Sequence, residues 1–251
     1  MTRAYFVLCT ALGRLLRAGR YSKTQLVACR VRKHRVFYAP LLIGVGNPLM
    51  RILDTGVRVL PQRAWEERER RMYEHLYGDG AVSVDDGALM LPCLAGKTLA
   101  TLLDDSELDE SLRKRVIEWA VTALAELHRL GFTHGDAMAE NVMVDVETGV
   151  ARWFDFETVH DRRRSMAWRR ADDVRALLTT CLVRTTSGKL AETVELILDV
   201  YDDERVTRLL AESFTSILRR PLTFHLAQAE LSLLCYRKCA RVLKERLGEG
   251  G

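Results

Sequence analysis

Residues 133–157 constrain the chain more than any other stretch. They open with Thr133-His134-Gly135-Asp136-Ala137-Met138-Ala139-Glu140-Asn141 and run into Val142-Met143-Val144-Asp145-Val146. They break at Glu147-Thr148-Gly149, resume from Val150 to Phe154, and end in Asp155-Phe156-Glu157. Two short β-branched runs around a glycine-bearing turn predict a β-hairpin. A hairpin returns the chain to its starting end, so the loop before the first strand and the loop after the second lie together. Asp136 and Asn141 therefore come beside Asp155. Two carboxylates and an amide converge there without a basic residue among them. Such a set suits a hard cation, and magnesium in particular takes few carboxylates and fills its shell with waters and phosphate oxygens. Phosphoryl transfer asks little more of side chains than a metal to neutralise the phosphates, positioning, and an acid residue to accept the hydroxyl proton.

The flanking patterns predict what carries this segment. Residues 112–130 read as a helix with Val116, Ala120, Ala123, Leu124 and Leu127 on one stripe and Gly131 in the C-terminal cap position. Residues 61–77 read as another, with Trp65, Met72, Tyr73 and Leu76 on one face. Glu69 lies on that same apolar face, where a carboxylate needs a partner. From 25 to 60 the apolar runs Leu26-Val27-Ala28, Val36-Phe37-Tyr38 and Leu41-Leu42-Ile43 are short and broken by Gly, Asn and Pro, which predicts strands. Ala88-Leu89-Met90-Leu91 predicts one more, and everything after Arg169 reads as helical. Residues 1–20 read as a basic amphipathic helix with Phe6, Leu12, Leu15 and Leu16 as its apolar points.

Composition excludes several classes. With 48% hydrophobic and 29% charged residues the chain is ordinary globular protein, and 251 residues suffice for one large domain or two small lobes. No apolar run approaches the roughly 20 residues of a membrane span. The apolar start is short, Arg14, Arg17 and Arg20 follow it, and no cleavage pattern of a signal peptide is present. Six cysteines without a C-x-x-C pair argue against zinc and predict reduced thiols in a cytoplasmic protein. The net charge is only +4. Arginine clusters at Arg68-Glu69-Arg70-Arg71, Arg162-Arg163-Arg164 and Arg169-Arg170 read either as solvated surface or as contacts to an anionic partner.

At the residues quoted first, the chain resembles the protein-kinase-like superfamily. His134-Gly135-Asp136 followed by Asn141 is similar to its catalytic loop, H-[RG]-D-x-x-x-x-N, and Asp155-Phe156-Glu157 to its D-F-G metal motif. The resemblance implies Asp136 as the base that orients the acceptor hydroxyl, Asn141 and Asp155 as magnesium ligands, and His134 as a brace for the loop. Met90-Leu91-Pro92-Cys93-Leu94-Ala95-Gly96-Lys97-Thr98-Leu99 is similar to the hinge between kinase lobes, which implies adenine bound to backbone groups near Pro92 to Leu94. Glu69 fits the acid of the amino-lobe helix, and Asp172 or Asp173 the acid that braces the catalytic loop. The implied fold is α+β and bilobal: an amphipathic helix at 1–20, a small antiparallel-sheet amino lobe with one helix at 21–91, a hinge at 92–96, and a larger helical carboxyl lobe at 97–251.

The departures narrow the branch. Glu157 stands where D-F-G has glycine, and Gly44-Val45-Gly46-Asn47 is only a fragment of a glycine-rich loop. For the cation that holds the phosphates, Arg51 stands near the expected place and should pair with Glu69, with Lys33 as the fallback; an arginine there binds phosphate with a different geometry from an ammonium. Only 17 residues separate Asp155 from Asp173, and no A-P-E-like segment is present. That resembles the compact prokaryotic branches: lipopolysaccharide-core sugar kinases, RIO-like kinases and aminoglycoside-type phosphotransferases. The resemblance implies ATP and Mg2+ as cofactors and an acceptor hydroxyl on a sugar, lipid-linked glycan or small metabolite. A compact protein serine/threonine kinase and a nucleotide-binding pseudokinase without turnover stay open beside it. Nucleic acid is not expected as a partner, and a cytoplasmic location leaves room for peripheral contact with the inner membrane face.

Overall fold

The computed structural model describes residues 21–52, 54–85, 87–215 and 231–248. The helix expected at residues 1–20 lies outside them. Strands β1 (Ser22–Val27) and β2 (Arg30–Arg35) form a tight hairpin whose turn places Ala28 at a φ of 53°. Helix α1 (Ala39–Ile52), strand β3 (Val57–Val59) and helix α2 (Gln62–Tyr77) follow, then β4 (Ser83–Asp85) and β5 (Ala88–Pro92). The order β1-β2-β5-β4 makes a four-stranded antiparallel sheet, with Lys33 opposite Leu89 and Arg30 opposite Pro92.

Helix α1 departs from the expected strands, and the amino half so holds two helices where one was expected. Leu41-Leu42-Ile43, expected as extended, lies inside it. Pro40 in the first turn presets a helical φ, and Ala39, Ile43 and Met50 bury one face against Val57 and Val59. Gly44, Gly46 and Pro48 are poor helix residues, so burial of that face overrides local propensity. Gly44-Val45-Gly46-Asn47 is therefore mid-helix and not a phosphate loop. Asn47 instead pins β3: its Nδ2 donates to the Val59 carbonyl at 2.9 Å and its Oδ1 accepts the Val59 N–H at 3.0 Å.

The carboxyl half is mainly helical. Strand β6 (Lys97–Thr98) leads into α3 (Leu99–Leu103), which is N-capped by Thr98. Helix α4 (Glu110–Arg129) is the long helix expected. Asp109 caps its start by accepting from the N–H groups of Ser111 and Leu112, and Gly131 follows its end at a φ of 84°. Strands β7 (Val142–Asp145) and β8 (Val150–Trp153) form the expected hairpin, with Val142 opposite Trp153. Strand β9 (Thr158–His160) pairs with β3. Helices α5 (Met166–Val183), α6 (Leu190–Tyr201), α7 (Glu204–Thr215) and α8 (Leu233–Arg246) follow among the described residues. One apolar core runs from Trp65, Met72, Leu89 and Leu91 of the amino half through α4 and α5 to Cys239 and Leu243 of α8. A smaller cluster lies under α1. No helix among the described residues is long and apolar enough to cross a membrane.

Candidate active site

A cleft of about 890 Å³ opens between the two halves. Its lining includes Thr24, Val31 and Lys33 from the sheet, Pro92 at the end of β5 with Cys93 and Leu94 after it, and Asp136, Asn141 and Asp155 from the loops around the hairpin. The hairpin geometry expected from sequence thus brings these last three to one place. A basic residue joins them from the amino half.

That residue is Lys33, and it corrects the expected Arg51–Glu69 pair. Lys33 Nζ lies 2.6 Å from Glu69 Oε1, 2.6 Å from Asp155 Oδ1 and 3.3 Å from Glu157 Oε1. Arg51 sits exposed in the last turn of α1, because the segment expected to be a strand is helical. Lys33 stands on β2, the strand next to β5, and its ammonium lies 5.5 Å from the centre of the Trp65 ring. A signal for it was present: Val31, Lys33 and Arg35 alternate along β2 and share the face that meets the cleft and Glu157. Burial alone would lower the Lys33 pKa, but the charges of Asp155, Glu69 and Glu157 outweigh it and hold the ammonium well above its usual value. Burial raises Glu69, with Lys33 opposing. For Asp155 burial pulls upward too, yet the charge and hydrogen bond of Lys33 leave it below the usual carboxylate value.

Glu69 has a second task. Its Oε2 accepts the N–H of Phe156 at 2.8 Å, so α2 holds both the lysine and the Asp155-Phe156 turn. Asp155 occupies the left-handed region at a φ of 69°. Phe156 is buried, with its ring centre 4.8 Å from that of His134. Glu157 is turned back toward the amino half. It accepts from Ser22 Oγ, from Arg35 Nη1 at 2.7 Å, and faces Lys33. Burial and the neighbouring Asp155 charge push its pKa up to about 7 against the pull of Lys33 and Arg35.

The loop between α4 and β7 is braced from below. Asp173 of α5 accepts the N–H groups of His134 at 2.7 Å and Gly135 at 2.8 Å, and His128 Nε2–H at 3.0 Å. Asp172 faces elsewhere, toward His160 Nε2 at 3.1 Å and Arg175. Of the two acids left open by sequence, Asp173 is the one that bonds the loop. Burial would raise it, but the surrounding histidines and their hydrogen bonds bring it down to about 2. His134 donates Nε2–H to the Phe154 carbonyl at 2.9 Å and accepts the Asp136 N–H on Nδ1 at 3.2 Å. Burial lowers its pKa, which keeps this neutral tautomer. Gly135 is required as glycine: its φ is 89°, and a Cβ there would lie 2.6 Å from the Thr158 carbonyl oxygen. Asn141 Nδ2 donates to the Asp136 backbone carbonyl at 2.8 Å and to its Oδ2 at 3.1 Å, fixing the two side chains relative to each other.

A two-part fold with a lysine–glutamate pair over a cleft, a braced His-Gly-Asp loop and an aspartate after a hairpin is the arrangement of a protein-kinase-like phosphotransferase, a kinase by class. Residues 95–196 match the model of the lipopolysaccharide kinase (Kdo/WaaP) family, a span that includes Asp136, Asn141, Asp155 and Asp173. Lys33 and Glu69 lie outside it. No curated protein matches the chain.

Proposed function

We propose that this chain transfers the γ-phosphoryl group of ATP to a hydroxyl of a sugar, as part of a lipid-linked or core glycan. The observation that carries the reading is Lys33 clasping Glu69 and Asp155 at 2.6 Å each in a cleft that Asp136 and Asn141 also line. A phosphate-holding cation and a metal-binding acid held together in this way are the parts phosphoryl transfer needs. The family match favours a sugar acceptor, since the matched family is named for lipopolysaccharide kinases. Lys33, the fallback to Arg51, stands beside Glu69 and Asp155, which weakens the main reason for a pseudokinase.

The roles follow from position. Residues 21–91 hold the nucleotide, with adenine against backbone groups near Pro92 to Leu94, and residues 97–251 present the acceptor across the hinge at 92–96. Lys33 takes the phosphate oxygens, and Glu69 keeps it aimed. Asp155 reaches the cleft with its side chain 35% exposed. Together with the Asn141 amide it offers hard oxygen donors that fit magnesium, whose remaining positions phosphate and water fill. Magnesium, when bound, neutralises the charge on the phosphates. Asp136 orients the acceptor hydroxyl and takes its proton as the new O–P bond forms. Glu157, in the glycine position of D-F-G, ties that turn to Ser22 and Arg35 and so holds β1 over the cleft.

The test is transfer from labelled ATP, with and without magnesium, to core oligosaccharide, free sugars and a generic protein substrate. Label in the saccharides alone supports the reading. Label in protein alone replaces it with a compact protein kinase, and nucleotide binding with no transfer to any acceptor replaces it with a pseudokinase.

A further inference from the structure

Helix α1 is amphipathic in an unusual sense. Its inner face, Ala39, Ile43 and Met50, is buried on β3. Its outer face is also apolar. Leu41, Val45, Pro48 and Ile52 are spaced four, three and four apart, which places them within an arc of about 60° along a stripe roughly 16 Å long. Leu41 is 71% exposed, Val45 65% and Ile52 79%, and Phe37, just before the helix, is 94% exposed. Single exposed apolar residues need no explanation, but an aligned set does.

The surroundings name the occupant. Beyond Ile52 the chain meets the loop after β9: Asp161 N–H donates to the Gly56 carbonyl at 2.7 Å, and Arg164 pairs with Asp54. This contact sets Arg162-Arg163-Arg164 at the end of the stripe. Asp54 and Asp161 are each neutralised by an arginine, whereas Arg51, in the last turn of α1, and Arg162 are exposed. An apolar stripe bordered by guanidinium groups matches a bilayer surface, which offers acyl chains beneath anionic headgroups. At the other end, Phe37 meets Tyr38 edge to face at 5.2 Å, and Tyr38 lines the cleft. The surface thus runs up to the mouth of the active site.

We propose that the outer face of α1 and the arginine loop after β9 form a docking surface for an anionic phospholipid bilayer. Docking there lays the mouth of the cleft along the membrane plane, where an acceptor carried on a lipid is found. The docking claim itself does not depend on which hydroxyl is phosphorylated.

The full chain is to be sedimented with vesicles of phosphatidylcholine alone and of phosphatidylcholine mixed with phosphatidylglycerol. The expected result is binding to the mixed vesicles that weakens with salt. Leu41→Ser, Val45→Ser and Ile52→Ser together reduce that affinity by about tenfold or more, and Arg162→Glu with Arg163→Glu removes the preference for anionic lipid. All five side chains lie outside the buried core, so the fold is retained. In a separate chain, Leu41→Trp reports contact directly through a blue shift of its emission on the mixed vesicles. Full binding by the serine variant overturns the proposal, including the case in which another segment supplies the contact. So does an unshifted tryptophan, or a dimer in light scattering that the serine variant dissolves, since a second copy then covers the stripe.

Discussion

Glu69 accepts the backbone N–H of Phe156 at 2.8 Å through one oxygen while the other holds Lys33 at 2.6 Å. One carboxylate so fixes the relative placement of β2, α2 and the turn that carries Asp155. Lys33→Met leaves Glu69 buried without its cation, and breaking a buried pair in this way costs about 3–5 kcal/mol. The variant is expected to lose transfer and to unfold at lower denaturant. Arg51→Ala, exposed and remote from that pair, is expected to change neither. Equal loss in the two variants would return the phosphate role to Arg51.

Asp136→Asn keeps the size of the side chain and its bonds to Asn141 but removes the proton acceptor. The expected outcome is a fall in kcat of about 10²- to 10⁴-fold, with nucleotide affinity unchanged in calorimetry. Turnover close to that of the parent protein is the result that removes Asp136 from the reaction.

Asp173 links loop geometry to pH. Its pKa is about 2 in the folded chain against an ordinary value of 3.8. A depressed acid adds stability that is fully present above the unfolded value and is lost as pH falls toward the folded one. The difference amounts to about 2 kcal/mol. Urea titrations of the parent and of Asp173→Asn should therefore show a wide gap at about pH 6 that narrows by this amount toward about pH 2. A gap independent of pH would mean that the carboxylate charge does not matter to the brace.

Gly135→Ala puts a Cβ against the Thr158 carbonyl at a backbone angle that side chains disfavour. A strained backbone position of this kind costs about 1–3 kcal/mol. The loop is expected to shift, and transfer to fall further than the loss of stability alone accounts for. Thermal unfolding and single-turnover rates measured on the same preparation separate the two effects.

The carboxyl half was legible because its site is local. Asp136, Asn141 and Asp155 sit within 20 positions of sequence, and a hairpin brings them together whatever the rest of the chain does. Lys33 was harder to place, since it reaches the cleft only through pairing of β2 with β5, more than 50 residues away. The apolar run at Leu41 to Ile43 also suggested a strand in which Arg51 could play that part, and short apolar runs do not separate helix from strand. Asp172 and Asp173 could not be told apart for another reason. Residues 171–182 of α5 are all buried, so no polar face marks which acid looks toward the loop.

The amide of Asn47 meets both the N–H and the C=O of Val59, and Thr55 Oγ1 donates to the carbonyl of Val57 at 3.3 Å. Side chains thereby take the places that an additional strand would occupy beside β3, whose other side is paired with β9. A two-stranded ribbon is ordinarily open to edge-on recruitment by another chain, with aggregation as the outcome. Here a planar amide imitates a peptide group and, with the Thr55 hydroxyl, closes the β3 edge of the ribbon to such growth.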